Sequence, residues 1–150
     1  MKESLRIRPA FVGDTVPIQA LLQELGYAMA PEQISEKIVT FARKQGHHAF
    51  VAEIDGHVVG FASLHVMEWF HKPECVARLS AIVVKKESRG CSIGRALMQF
   101  AEEKAVEAGC TMMEVSSGLH RRAEGTYKFY ASLGYLDAKE QSTYFRKNLA

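Results

Sequence analysis

Hydrophobic and polar positions alternate at the start of the chain: Leu5 and Ile7 are interleaved with Arg6 and Arg8, which predicts a short strand ended by Pro9. The period then lengthens. Ile18, Leu21, Leu22 and Leu25 fall on one helical stripe, so a helix is expected, capped by Asp14 or Thr15, tolerant of Pro17 in its first turn and stopped by Gly26. Pro31 opens a second helix with Ile34, Ile38, Phe41 and Ala42 on its apolar side and Gly46 at its close. Ala49 to Ile54 reads as a strand, Asp55-Gly56 as a two-residue hairpin turn, and Val58 to Leu64 as the returning antiparallel strand. Trp69 to Glu74, with Pro73, is a loop. Val76 to Val84 is a third long strand, apolar toward its end and therefore expected to be central and covered on both faces. A glycine-containing turn leads to a helix with Ile93, Leu97, Phe100, Ala101, Ala105 and Ala108 inward and Gly109 at its end, and Thr111 to Val115 is a further strand. Strand, helix and strand in succession imply a right-handed crossover and a parallel pair. Ala123 to Leu133 is a last helix, stopped by Gly134, and Tyr135-Leu136-Asp137 with Ser142 to Arg146 can close a hairpin. The pattern is that of an α/β protein with a mixed sheet.

Composition narrows the class. With 150 residues, 47% of them hydrophobic and 24% charged, the chain suits one domain over residues 1–150 rather than a disordered or membrane protein. No apolar run approaches the ~20 residues that span a bilayer. Met1-Lys2-Glu3-Ser4-Leu5-Arg6 lacks a signal peptide's apolar stretch, so a cytoplasmic protein is expected. Cys75, Cys91 and Cys110 form no Cys-x-x-Cys pair, which argues against a disulfide framework and a thiolate zinc site. The net charge is only +2, from 19 basic and 17 acidic side chains. Apart from Lys85-Lys86 near Arg89, and Arg121-Arg122, no basic cluster suggests nucleic acid.

The chemistry concentrates where Ile82-Val83-Val84 runs into Lys85-Lys86-Glu87-Ser88-Arg89-Gly90-Cys91-Ser92 and then into the helix begun by Ile93-Gly94-Arg95. The first N–H groups of a helix have no partner within it, and the helix dipole adds positive potential there. Small residues let a pyrophosphate approach the backbone, and Arg89 and Arg95 can neutralise further charge. An ordinary strand-to-helix turn, its glycines serving only geometry, fits the same spacing. A dinucleotide loop fits poorly: Gly90 and Gly94 do not match Gly-x-Gly-x-x-Gly, and two helices and a hairpin precede them.

Arg89-Gly90-Cys91-Ser92-Ile93-Gly94 resembles the acetyl-CoA loop of the GNAT superfamily of N-acetyltransferases, Arg/Gln-x-x-Gly-x-Gly/Ala. Ile82-Val83-Val84 resembles the strand end before that loop, and Phe129-Tyr130-Ala131-Ser132-Leu133-Gly134-Tyr135 resembles the family's Phe-Tyr-x-x-x-Gly-Phe/Tyr signature. The order of elements is similar over essentially the whole chain. His120-Arg121-Arg122 and Leu64-His65 are similar to aminoalkylphosphonate and small-amine N-acetyltransferases. Two departures stand out. Ser92 replaces the usual first glycine, and its backbone is expected to be already helical, with the hydroxyl free to cap the helix or meet a phosphate. Ala123 and Thr126 occupy positions where Asn and Ala are frequent.

The resemblance implies a GNAT-like fold with a central mixed sheet of about six or seven strands and about four helices. It implies acetyl-CoA as co-substrate, bound through Ile82, Val83, Val84, Arg89, Gly90, Cys91, Ser92, Ile93, Gly94 and Arg95, with direct attack on the thioester by a small primary amine. A protein lysine or N-terminus as acceptor, or a non-catalytic acetyl-CoA sensor, are the alternatives, and a homodimer is common among similar proteins. Tyr130 takes the general-acid position, although core packing would also account for it. The acceptor amine must lose a proton, for which Glu74, Glu68, His65 and His71 are candidates beside a water chain. Glu68 and Glu74 also suit a solvated loop, and His65 a hydrogen-bonded strand residue. Trp69, Phe70, Tyr27 and Glu24 could wall the acceptor site or simply cover the surface. No required metal is expected: His65, His71 and Glu74 lack a recognised ligand spacing, and His47 and His48 point to opposite faces of an extended segment.

Overall fold

The computed structural model describes residues 4–90, 92–116, 125–138 and 144–149. It contains two compact units, Met1–Ser116 and Ser117–Ala150.

In the first unit, strand β1 (Leu5–Pro9) leads through a 3₁₀ turn (Val12–Asp14) into helix α1 (Thr15–Leu25), followed by α2 (Pro31–Arg43). The chain then forms β2 (His47–Ile54), β3 (His57–Glu68), β4 (Cys75–Val84), α3 (Ile93–Glu107) and β5 (Cys110–Val115). The five strands lie in chain order, β1 to β4 antiparallel and β4 parallel to β5. The parallel pair is the one that the α3 crossover requires. Asp55 and Gly56, with φ of 49° and 83°, both take the left-handed conformation that a tight hairpin turn between twisted strands demands. Gly26, at φ 108°, ends α1, and its N–H donates back to the Leu22 and Gln23 carbonyls.

Strand periodicity sorts the core into two layers. Val51, Phe61 and Val83 pack with Ile18, Leu21 and Leu25 of α1 and Ile34 and Ile38 of α2. On the opposite face Phe50 meets Phe100 of α3, with ring centroids 4.8 Å apart. His47 and His48 separate as extended neighbours must: the His47 ring packs on Phe41 of α2, whereas His48 feels Lys104 and Glu107 of α3. Helix α3 buries Ile93, Leu97, Met98, Ala101 and Ala105; Ala108, expected inward, is its exposed C-terminal cap.

Asp14, buried at the start of α1, is held from three sides. Arg8 of β1 donates to both its carboxylate oxygens at 2.8 and 2.9 Å, and the Phe11 N–H donates at 3.0 Å. Arg8 also pairs with Glu53 across the β1–β2 ladder. Hydrogen bonding to Asp14 raises the guanidinium pKa despite the opposing effect of burial.

In the second unit the described residues contain one helix, α4 (Thr126–Ser132), opened by Gly125 at φ 76°. This is shorter than the helix expected from Ala123, which itself lies outside the described residues, as do 139–143 of the expected hairpin. Residues 135–138 and 144–146 form no strand. The Tyr135 N–H is committed to the Tyr130 carbonyl at 3.0 Å, closing the helix end instead of a ladder. The mixed α/β class therefore stands, with five strands among the described residues in place of six or seven.

Candidate functional site

Among the described residues, strand β4 is paired along its whole length on one side only. Against β3 its ladder runs from Cys75 to Val84, which faces Gly60, with a register shift between Ser63 and Leu64 that leaves Ser80 as the extra residue of a bulge. Against β5 the pairing ends at Leu79 opposite Val115. From Ser80 to Val84, then, the second edge of β4 has no strand partner among the described residues. Val83 points into the α1–α2 core, whereas Ile82 and Val84, at the positions of Ala62 and Gly60, belong to the α3 face.

The chain leaves this open edge through a tightly held loop. The Lys85 N–H donates to Val59 at 2.7 Å, and Lys86–Ser88 form a 3₁₀ turn. Glu24, at the end of α1, accepts the Lys86 N–H at 3.2 Å and sits 3.9 Å from the Arg89 guanidinium, whose Nε donates to the Val84 carbonyl at 3.1 Å. Glu24 thus fastens the loop to α1. Gly90 is left-handed at φ 85°. Cys91 lies outside the described residues.

Ser92 corrects an expectation. Its backbone is not helical but left-handed, with φ 63° and ψ 16°, and its hydroxyl makes no cap bond among the described residues. The loop must reverse direction within one residue to start α3, and a serine there bears about 1–2 kcal/mol that a glycine would not. The helical ladder begins with the Ala96 N–H donating to the Ser92 carbonyl at 3.1 Å, so the N–H groups of Ile93, Gly94 and Arg95 precede it. Ile93 is buried and anchors the helix start, whereas Arg95 is exposed. One end of the open β4 edge therefore leads directly to the dipole-positive end of a fifteen-residue helix.

The other expected site residues lie on other elements. Tyr130 lies on α4 in the second unit, its ring 5.2 Å from Phe129 and 6.1 Å from Tyr135, centroid to centroid. Glu74 is exposed and precedes β4, six residues before the bulge, or roughly 20 Å along an extended strand. The strand does not bring Glu74 to the loop. Trp69 and His71 pack edge-on against each other in the same loop. Among the described residues no three His, Cys, Asp or Glu side chains gather as a metal site, and no helix is long and apolar enough to cross a membrane.

Two features escaped sequence reasoning. A cavity of about 150 Å³ opens between α1, α2 and the sheet, lined by apolar groups such as Met29, Phe41, Phe61 and Ala81, with Lys37 and Ser63 as its polar members. At its sheet wall the Ser63 and Ser80 hydroxyl oxygens are 2.7 Å apart, and Ser80 Oγ is 2.8 Å from His65 Nε2. His65 was among the residues expected to take the acceptor's proton; what the sequence did not show was its link through Ser80 to Ser63.

The chain matches the acetyltransferase (GNAT) family over residues 17–135. It belongs to that family. An aminoalkylphosphonate N-acetyltransferase of Salmonella typhimurium is 35% identical over 88 residues, which are 59% of this chain and 56% of that protein. An uncharacterized N-acetyltransferase of Methanocaldococcus jannaschii is 37% identical over 101 residues, 64% of this chain and 57% of that one. The matches thus span little more than half the length of either relative. An aminoglycoside N-acetyltransferase solved in complex with CoA has the same fold, with a TM-score of 0.83 at 17% identity, over 98% of this chain and 97% of that chain. In this GNAT chain the loop of the family's signature is the one that joins the open β4 edge to α3.

Proposed function

We propose that this chain is an acetyl-CoA-dependent N-acetyltransferase that moves the acetyl group directly to a small primary amine, with Tyr130 as general acid. The observation that carries this reading is the β4 edge, unpaired with β5 after Leu79 and running into the start of α3. An extended pantetheine arm can occupy that edge as a further strand would, bonded to main-chain groups of Ile82 and Val84, with Val83 fixing the strand in the core. Gly90, Cys91, Ser92, Ile93, Gly94 and Arg95 then supply small residues, helix N–H groups and one exposed cation for the pyrophosphate. Arg89 adds a second cation, already oriented by Val84 and Glu24.

Chemically, the amine nitrogen attacks the acetyl carbonyl carbon. A β4 N–H donates to the oxyanion that forms, an interaction whose removal typically costs about 10²–10³ in rate. The carbon–sulfur bond breaks, the Tyr130 hydroxyl protonates the departing thiolate, and the proton shed by the new amide nitrogen restores the Tyr130 hydroxyl. The apolar cavity supports a compact acceptor with an apolar body, and the likeness to an aminoalkylphosphonate N-acetyltransferase is compatible with one.

Calorimetry with CoA and acetyl-CoA, followed by a free-thiol assay over panels of primary amines and peptides, tests the reading. Heat of association with thiol release on amines is expected. No heat with either ligand overturns it. Binding without release on any acceptor indicates a sensor module, and release on peptides alone indicates a protein acetyltransferase.

A further inference from the structure

An aliphatic ammonium has a pKa near 10.4, so at pH 7 neutralising it costs about 4.6 kcal/mol, and acetyl transfer needs somewhere for that proton to go. Glu74 lies far along β4 from the bulge. A different set of groups stands at the bulge itself.

Ser63, Ser80 and His65 share the α1–α2 face of the sheet. Ser63 is buried and lines the apolar cavity. Ser80, as the extra residue of the bulge, turns its hydroxyl onto that same face, 2.7 Å from Ser63 Oγ, just past the point where pairing with β5 ends. His65 Nε2 continues the chain at 2.8 Å. Its ring is wedged edge-on between Phe41, a cavity-wall residue, at 5.4 Å and His47 at 4.9 Å, centroid to centroid. The Ser63 hydroxyl, buried on an otherwise apolar wall, needs a partner, and the exposed Ser80 hydroxyl supplies it.

We infer that Ser80 and His65 form a proton relay for the acceptor amine, with Ser63 orienting the Ser80 hydroxyl. The inference rests on the acetyl-transfer reading above. In the tautomer with hydrogen on Nδ1, His65 Nε2 accepts the Ser80 O–H, while Ser63 donates to one lone pair of Ser80 Oγ and leaves the other for the substrate ammonium. The ammonium proton passes to Ser80 Oγ as Ser80's own proton passes to His65 Nε2. The amine is left neutral, with its lone pair free to attack, and the imidazolium returns a proton to water.

The surroundings keep His65 a proton acceptor. Burial lowers its pKa, and the basic groups that face it, His47 from β2, Arg78 from β4 and Lys44 from the end of α2, lower it further. The ring is therefore neutral at pH 7 and discharges readily once protonated. Ser80 and His65 touch the reacting amine and its proton; Ser63 is a positioning residue.

The test uses the full chain with acetyl-CoA and straight-chain primary alkylamines, comparing wild type with His65→Gln, Ser80→Ala and Ser63→Ala from about pH 6 to pH 10. His65→Gln retains a polar contact with Ser80 but cannot carry the proton. His65→Gln and Ser80→Ala are each expected to lower kcat/KM for the amine at least about tenfold at pH 7. The deficit should shrink toward pH 10, where the acceptor supplies its own neutral form, while CoA affinity is unchanged. The additional break that protonation of His65 puts into the wild-type profile below about pH 6.5 should be absent in His65→Gln, whose rate follows the free-amine fraction alone. Ser63→Ala should give a smaller loss with the wild-type pH profile. Deficits that stay constant with pH, or wild-type kcat/KM in both His65→Gln and Ser80→Ala, overturn the relay alone. Absence of thiol release by the wild type with every amine overturns the acetyl-transfer reading, and the relay with it.

Discussion

The contact between Gly60 and Leu97 joins the stability of the fold to the shape of the coenzyme site. Gly60 lies on β3 opposite Val84, the last residue of β4, and α3 passes directly over it. A Cβ at Gly60 would stand 3.1 Å from Leu97 Cδ1, 3.3 Å from Ala52 Cβ and 3.3 Å from the Val83 carbonyl oxygen. Gly60→Ala therefore forces several neighbours to shift by a few tenths of an ångström. Overpacking of this kind costs about 1–3 kcal/mol. About 0.5–1 kcal/mol returns because glycine loses the most backbone freedom on folding, leaving a net loss of about 0–2.5 kcal/mol. Leu97→Ala empties a fully buried site and should cost about 2–5 kcal/mol. In the double variant the truncated Leu97 vacates the nearest of the three contacts, so the new methyl fills part of the cavity. The two losses should then fall short of additivity by about 1 kcal/mol. Urea unfolding followed by circular dichroism measures all three variants, with the denaturant slope expected to be unchanged. CoA affinity should fall in Gly60→Ala and recover in the double variant, since the added methyl pushes α3 off Gly60 and moves the helix start away from the β4 end. A double variant whose loss equals the sum of the single losses to within about 0.5 kcal/mol would refute the steric account.

Three further outcomes are expected. Tyr130→Phe should lower kcat at least about tenfold with the Kd for CoA unchanged, and an unaltered kcat would remove Tyr130 from the chemistry. Ser92→Gly relieves about 1–2 kcal/mol of left-handed strain and returns about 1 kcal/mol through the unfolded state, so the melting temperature should stay level or rise by a few degrees. A fall would mean that the hydroxyl holds a bond worth more than the strain. Arg8→Ala leaves the buried Asp14 carboxylate without its bidentate partner and should cost about 3–5 kcal/mol by thermal or chemical unfolding. Arg8→Lys should recover only part of that, because an ammonium cannot reproduce the fork to Asp14 while also reaching Glu53.

Much of the molecule was legible along the chain. The stripe Ile18, Leu21, Leu25 and the stops at Gly26 and Gly109 follow from helical period and from the freedom of glycine at positive φ. Asp55-Gly56 announced its hairpin, and the strand–helix–strand order required β4 and β5 to be parallel. The loop between Val84 and Ile93 carried a family signature. All of these are relations between residues close in the chain, where steric limits and side-chain period act directly. The working surface depends on different relations. Where β5 stops pairing with β4, which residue of β4 bulges, and that Ser92 must be left-handed are outcomes of how distant segments fit together. Ser80 meets Ser63 and His65 from seventeen and fifteen positions away. No local pattern encodes that meeting. It arises because a one-residue slip in a ladder of period two turns a side chain from one face of the sheet to the other, and only the packed sheet, with α2 against one face and α3 against the other, decides where the slip falls.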